Sequence, residues 1–272
     1  MSERLSHWIH RISFPETAKA GLGFGYEYWN LDPRLYEGWQ QLHNQQKSLG
    51  HPSHSRAVAY NLASHLLMDV VVAAGGVENS ITDLRHAVTN LQTYAQIHKI
   101  QEIDDVEQTL GHLAAITAWY AFADLLTWSR CVVERMDRRA GDSKNFPRQG
   151  LLPAIKPKRL QTKVDILLRN LQSGPAGQAR LLANFVLHSA MVQHPQSGVR
   201  ISNSGSVILP IPDAPDKPVS HWYLLDWTAR RDGIVLAEGI WLAIQEFVDQ
   251  LLNSFEASVP RRLRKEHSEL PT

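Results

Sequence analysis

Sixteen consecutive residues, Leu113 to Trp128, read LAAITAWYAFADLLTW and carry a single charge, Asp124. A helix of that composition is apolar nearly all round, so it must be packed on several sides. At about 1.5 Å per residue the run is roughly 24 Å long, shorter than the hydrocarbon core of a bilayer, and it is interrupted by a carboxylate. The expectation is therefore a cytoplasmic, all-α protein built round a central helix, with no membrane span.

The rest of the composition narrows the choice of partners and chemistry. With 272 residues the chain has room for one large domain or two small ones and can bury a sizeable core. Its 28 basic and 27 acidic residues leave a formal charge of +1, so any nucleic-acid contact must come from a local patch rather than a global field. A single cysteine, Cys131, excludes an internal disulfide framework and every zinc site that needs several thiolates. The amino-terminal MSERLSHWIHR lacks the continuous apolar stretch of a secretory leader.

Glycine and proline divide the chain into helices. Asp32-Pro33 suits the start of a helix to about Leu49, ahead of Gly50 and Pro52. Ser53 or Ser55 caps the next, predicted over 55–74, which Gly75-Gly76 should stop. Ser80 and Asp83 have capping-box spacing for a helix to about His98. The central helix is predicted over 103–138, with Gly111 as a possible division. After a Gly/Pro-rich joint at 141–157, Leu160, Val164, Leu167, Leu168 and Leu171 form a helical stripe opposite a basic face of Lys156, Lys158, Arg159, Lys163 and Arg169. Ser173-Gly174-Pro175 breaks the chain before a helix over 176–192. Val199–Ile201 and Val207–Leu209 then read as a hairpin with a Gly-containing turn. A proline-bearing loop leads to a last amphipathic helix over 230–257, and a basic tail, 258–272, follows.

Within the 176–192 helix, Asn184 and His188 are four residues apart, about 6 Å along one face, so an amide and an imidazole can approach one phosphate together. Position 183 falls beside them, on the flank of that face, where a guanidinium could fold over the same phosphate; this chain has alanine there. Asn61 and His65 repeat the spacing behind Tyr60, but no hairpin and closing helix follow them in the same order.

The sequence Ala183-Asn-Phe-Val-Leu-His188, preceded by a long apolar helix and a connecting helix and followed by a hairpin and a final helix, resembles the HEPN family over residues 101–257, with alanine in place of the arginine of its Arg-x(4–6)-His motif. The resemblance implies a HEPN-like helical bundle with one small hairpin, preceded by an N-terminal helical extension over residues 1–100. It further implies a homodimeric, metal-independent endoribonuclease of toxin or antiphage systems, restrained by an antitoxin or another defence-complex protein. His188 would then be the general acid/base, since an unperturbed imidazole titrates near working pH. Asn184 would donate to a phosphate oxygen or orient His188. An arginine at 183 would neutralise charge on the phosphorane, and its loss typically costs on the order of 10²- to 10³-fold in rate. Arg180, Arg200, Arg169, Lys158, Arg159 and Lys163 would contact RNA phosphates. Ala183 is expected to mark either an exchanged active-site arginine or a native alanine in a non-catalytic dimerisation or adaptor protein of a defence or regulatory complex.

No metal or other cofactor is expected, because no helical HExxH-type set is present and His51 and His54 sit in a loop context. Gly21-Leu-Gly23-Phe-Gly25 lacks the preceding strand and following lysine of a phosphate loop. The eight tryptophans fall mainly among apolar residues and are assigned to packing.

Overall fold

In the computed structural model of the chain, residues 3–12, 54–98, 109–137, 150–155, 158–188, 199–201, 206–213 and 226–258 are described. Helix accounts for 85% of them, which makes the protein all-α in class. The helices are α1 (Glu3–Ile12), α2 (His54–His98), α3 (Thr109–Asp137), α4 (Leu151–Ala154), α5 (Lys158–Ser173), α6 (Pro175–His188) and α7 (Gly233–Ser258). Four two-residue strands, β1 (Arg200–Ile201), β2 (Val207–Ile208), β3 (Pro210–Ile211) and β4 (Arg231–Asp232), form two antiparallel pairs, β1 with β2 and β3 with β4. The helix expected between Asp32 and Leu49 and the basic tail lie outside the described residues.

The chain forms two compact units, the first of residues 1–72, 132–169 and 247–272, the second of residues 73–131 and 170–246. Trp8, Met68, Val132, Leu151, Val164 and Leu251 are core residues of the first unit. There α1 is held by polar as well as apolar contacts. Trp8 is fully buried, and its indole Nε1–H donates to Asp249 Oδ1 at 2.8 Å. Arg11 donates from Nη2 to Asn253 Oδ1 at 2.9 Å. A ten-residue helix is marginal on its own in water, so this docking on the end of α7 stabilises it. In the same unit Arg135 pairs with Asp69 at 3.3 Å.

The second unit corrects the helix boundaries expected around Gly75-Gly76. The chain passes through both glycines without a stop, as one helix of 45 residues. Two glycines cost a helix roughly 1 kcal/mol each relative to alanine. The continuing face, Val77, Ile81 and Leu84, is buried to 1% exposure or less, and that packing offsets the cost. Gly76 serves close approach instead: a Cβ there would lie 2.3 Å from Cδ2 of Trp128 on α3. Ser80 caps nothing; its hydroxyl donates to the carbonyl of Gly76 at 2.9 Å, inside the helix. Gly111 likewise leaves α3 undivided.

Nor is α3 enclosed on every side. Phe122, Leu125 and Leu126 are fully buried, while Leu113, Tyr120 and Trp128 are 60%, 65% and 40% exposed and share an open side with Thr117 and Asp124. The predicted hairpin is present, with Arg200 opposite Ile208 and Ile201 opposite Val207. The β3–β4 pair joins distant residues, Pro210 with Asp232 and Ile211 with Arg231, and sequence patterning gave no sign of it. Asp213 clamps the turn leading into β4, accepting from the Thr228 amide and hydroxyl at 3.1 and 2.8 Å and from the Ala229 amide at 3.2 Å. Arg230, at φ 46°, takes the left-handed conformation that completes the turn.

The α5–α6 corner is as predicted at Ser173-Gly174-Pro175. Gly174 N–H donates to Leu171 O at 3.3 Å, ending α5, and Pro175 opens α6, where its missing N–H costs nothing. Gly177 is the sterically critical residue: a Cβ there would stand 1.8 Å from the carbonyl oxygen of Gln172. Gly177→Ala is expected to destabilise the protein by about 1–3 kcal/mol, because the obstacle is backbone and the strain outweighs alanine's better helix propensity. A urea midpoint equal to or above that of the native chain would contradict this.

Candidate functional site

α6 carries the motif, and its orientation is set by small residues. Ala176, Ala179 and Ala183 are fully buried and Leu182 is 1% exposed, whereas Arg180 faces solvent. Successive residues turn by about 100°, so the buried positions define one side of the helix and Arg180 marks its edge. The amino-terminal end is further fixed by Arg231 on β4, whose guanidinium donates to Gln178 Oε1.

Position 183 therefore lies on the buried side of α6. Its methyl group belongs to the packed side of α6, and a guanidinium attached there starts inside the core. Asn184 and His188 occupy the last two turns of α6, four residues apart as expected; their side chains lie outside the described residues. Arg180 is eight residues before His188, about 12 Å along the axis, and is the one arginine of this helix.

The other residues expected to contact RNA are all exposed. Arg200 lies on β1 in the second unit, as does Arg180 on α6. Lys158, Arg159, Lys163 and Arg169 lie on α5 in the first unit. Arg169 is 75% exposed and pairs with Asp165 one turn earlier, at 2.6 Å. Among the described residues, no group of three or more His, Cys, Asp and Glu side chains is arranged to hold a metal ion, and no helix is long and apolar enough to cross a membrane.

Sequence reading missed Asp232, a partly buried carboxylate at the start of α7. Its Oδ1 accepts from the Ile234 amide at 3.0 Å, capping α7, and from the Leu209 amide at 3.1 Å. The available signal was Asp232-Gly233 immediately before the apolar pattern of α7. Burial pushes the Asp232 carboxyl above its ordinary value of 3.8, while the two amide donors pull the other way. A raised folded-state pKa means that the native state holds this proton longer than the unfolded chain, so stability falls as pH rises through the interval just above 3.8. Asp232→Asn keeps an acceptor and removes the titration. Its stability relative to the native chain is expected to be more favourable at pH 7 than at pH 3, measured by denaturant unfolding; a pH-independent difference would refute the assignment.

Arg85 on α2 and Glu238 on α7 were also not singled out. They form a two-pronged pair, Nε to Oε1 at 2.8 Å and Nη2 to Oε2 at 2.6 Å, and this hydrogen-bonded carboxylate raises the Arg85 pKa. At 52% and 36% exposure the pair adds geometric definition more than stability.

No family model, no curated protein and no solved structure matches this chain.

Proposed function

We propose that this chain is a non-catalytic helical scaffold that acts by binding a partner. The observation that carries the reading is the complete burial of Ala183. Phosphoryl chemistry of the kind considered for this motif needs a cation close to the phosphorus to offset the charge that grows there. The position that should supply it is occupied by a methyl group committed to packing, and Arg180 is a poor substitute at about 12 Å from His188 along the helix. A native alanine retained for fold stability accounts for both facts.

Two exposed apolar stretches support a binding role. Leu113 and Tyr120 on α3, and Val235 and Leu242 on α7, are each 60% exposed or more and each pair is seven residues apart, two turns on one helix face. Side chains of that size left in water suit a protein partner. The order of α3, α5, α6, the β1–β2 pair and α7 supports the finer assignment to a HEPN-like fold, by resemblance, and with it a second copy of the chain as one partner.

The Asn184 and His188 spacing on the closing turns of α6 favours a second reading, a metal-independent endoribonuclease impaired at 183. Incubation of the native chain and of His188→Ala with single-stranded RNA separates the two. The scaffold reading expects equal, background-level cleavage by both. Cleavage that leaves 2′,3′-cyclic phosphate ends and disappears in His188→Ala would overturn it in favour of the nuclease.

A further inference from the structure

One side of α3 is largely apolar, open to water and short of positive charge. Leu113, Thr117, Tyr120, Asp124 and Trp128 are all exposed and recur every three or four residues, so they form one stripe about 22 Å long. α2 forms its rim. A Cβ on Gly76 would meet the Trp128 ring, which puts the two helices in contact at that level. From there α2 continues to His98 and α3 begins at Thr109, about 33 and 28 Å away along the axes. The connection from His98 to Thr109 reaches at most about 40 Å, whereas parallel helices would need about 60 Å, so the pair is antiparallel. Asp83, exposed and two turns beyond Gly76 on the same side of α2, therefore stands level with Tyr120. Among the described residues, neither Asp83 nor Asp124 has an ion-pair partner. No lysine or arginine occurs in residues 109–129, and the one arginine in residues 73–98, Arg85, lies on the opposite side of α2 in its pair with Glu238.

We infer that this face docks an arginine-bearing amphipathic helix of a partner protein. Apolar side chains two turns apart on such a helix cover Leu113 and Tyr120, which have the same spacing. An arginine on its flank makes a two-pronged pair with Asp124 and stacks on the ring of Tyr120 or Trp128, each one turn from that carboxylate. A second arginine meets Asp83. Charge decides among the occupants. Two copies of this face across a two-fold axis would bring Asp83 and Asp124 of both together with no lysine or arginine to offset them, so a second copy uses another surface. Nucleic acid and an anionic bilayer are repelled by the same carboxylates. The inference rests on the scaffold reading and deepens it by naming the partner's chemistry and where it binds.

The test is fluorescence anisotropy of three labelled synthetic helical peptides with the full chain. The peptides share one leucine stripe and carry arginine, glutamine or glutamate at the flanking positions. The arginine peptide should bind about tenfold or more tighter than the glutamine peptide, and the glutamate peptide should bind weakest. Asp83→Arg combined with Asp124→Arg, both exposed, should reverse that order. Tyr120→Ala should weaken the arginine peptide about tenfold. Leu242→Ala, on the exposed stretch of α7, should leave it unchanged. Equal affinity for the three peptides, or an order that the double arginine variant does not alter, would overturn the proposal. So would a native dimer in sedimentation equilibrium that Tyr120→Ala dissociates, which would give the face to a second copy. The RNA-cleavage comparison of the native chain with His188→Ala reports separately on the scaffold reading: charge-blind peptide binding without cleavage sinks the docking site alone, whereas cleavage that requires His188 sinks the reading beneath it.

Discussion

Trp8→Ala is expected to lower the unfolding free energy by about 3–5 kcal/mol, the range for truncating a large buried aromatic residue. The side chain is fully buried, and its indole N–H reaches Asp249 on the last helix, more than two hundred residues away in sequence. Removal therefore leaves a large void and takes a donor from a carboxylate at once. Trp8→Phe separates the contributions: it keeps most of the apolar volume and loses the hydrogen bond, so it should cost distinctly less than alanine. Equilibrium denaturation with guanidinium chloride, followed by far-ultraviolet circular dichroism, measures both. A loss below about 1 kcal/mol for Trp8→Ala is what a merely surface-associated α1 would give.

Ala183→Arg should be comparably damaging, and it should not create a nuclease. On an exposed helix face the exchange is almost neutral, because alanine and arginine are both good helix formers. At a position with no solvent-accessible surface the guanidinium must be desolvated or the helix must be displaced, which costs several kcal/mol. The expected result is a clear drop in thermal midpoint with no gain in RNA cleavage. A variant as stable as the native chain, with cleavage that also requires His188, would restore the arginine to a catalytic position.

Much of the helical framework was legible because one-sided apolar periodicity is a local signal. The stripe from Leu160 to Leu171 placed α5 within two residues of its observed end, and Ser173-Gly174-Pro175 marked the α5–α6 corner correctly. Gly75-Gly76 misled for a physical reason: a glycine pair weakens a helix locally, but the ring of Trp128 needs the space its missing Cβ leaves. That neighbour is about fifty residues away in sequence and invisible in any short window. The β3–β4 pair and the Asp232 bridge share the same difficulty, since each joins residues from before and after the proline-bearing loop.

The candidate site illustrates two signals competing in one segment. Motif spacing put weight on Asn184 and His188 and placed residue 183 beside them. Ala176, Ala179 and Ala183, separated by three and four residues, form a small-residue side that also reads as a packing face. The packed side is where α6 buries them. Exposure of the basic residues of α5 was legible from the same kind of periodicity, whereas the distribution of the expected RNA contacts between two compact units was not.

The most direct measurement is the thiol reactivity of a cysteine at 183, since Ala183→Cys changes little volume and carries no charge. In a Cys131→Ser background, a maleimide probe should modify that cysteine orders of magnitude more slowly than one introduced by Arg180→Cys on the exposed edge of the same helix, with a rate limited by opening of the fold. Comparable rates at the two positions under native conditions would mean that residue 183 lies open to solvent, which contradicts a packing role and removes the main support for a non-catalytic scaffold.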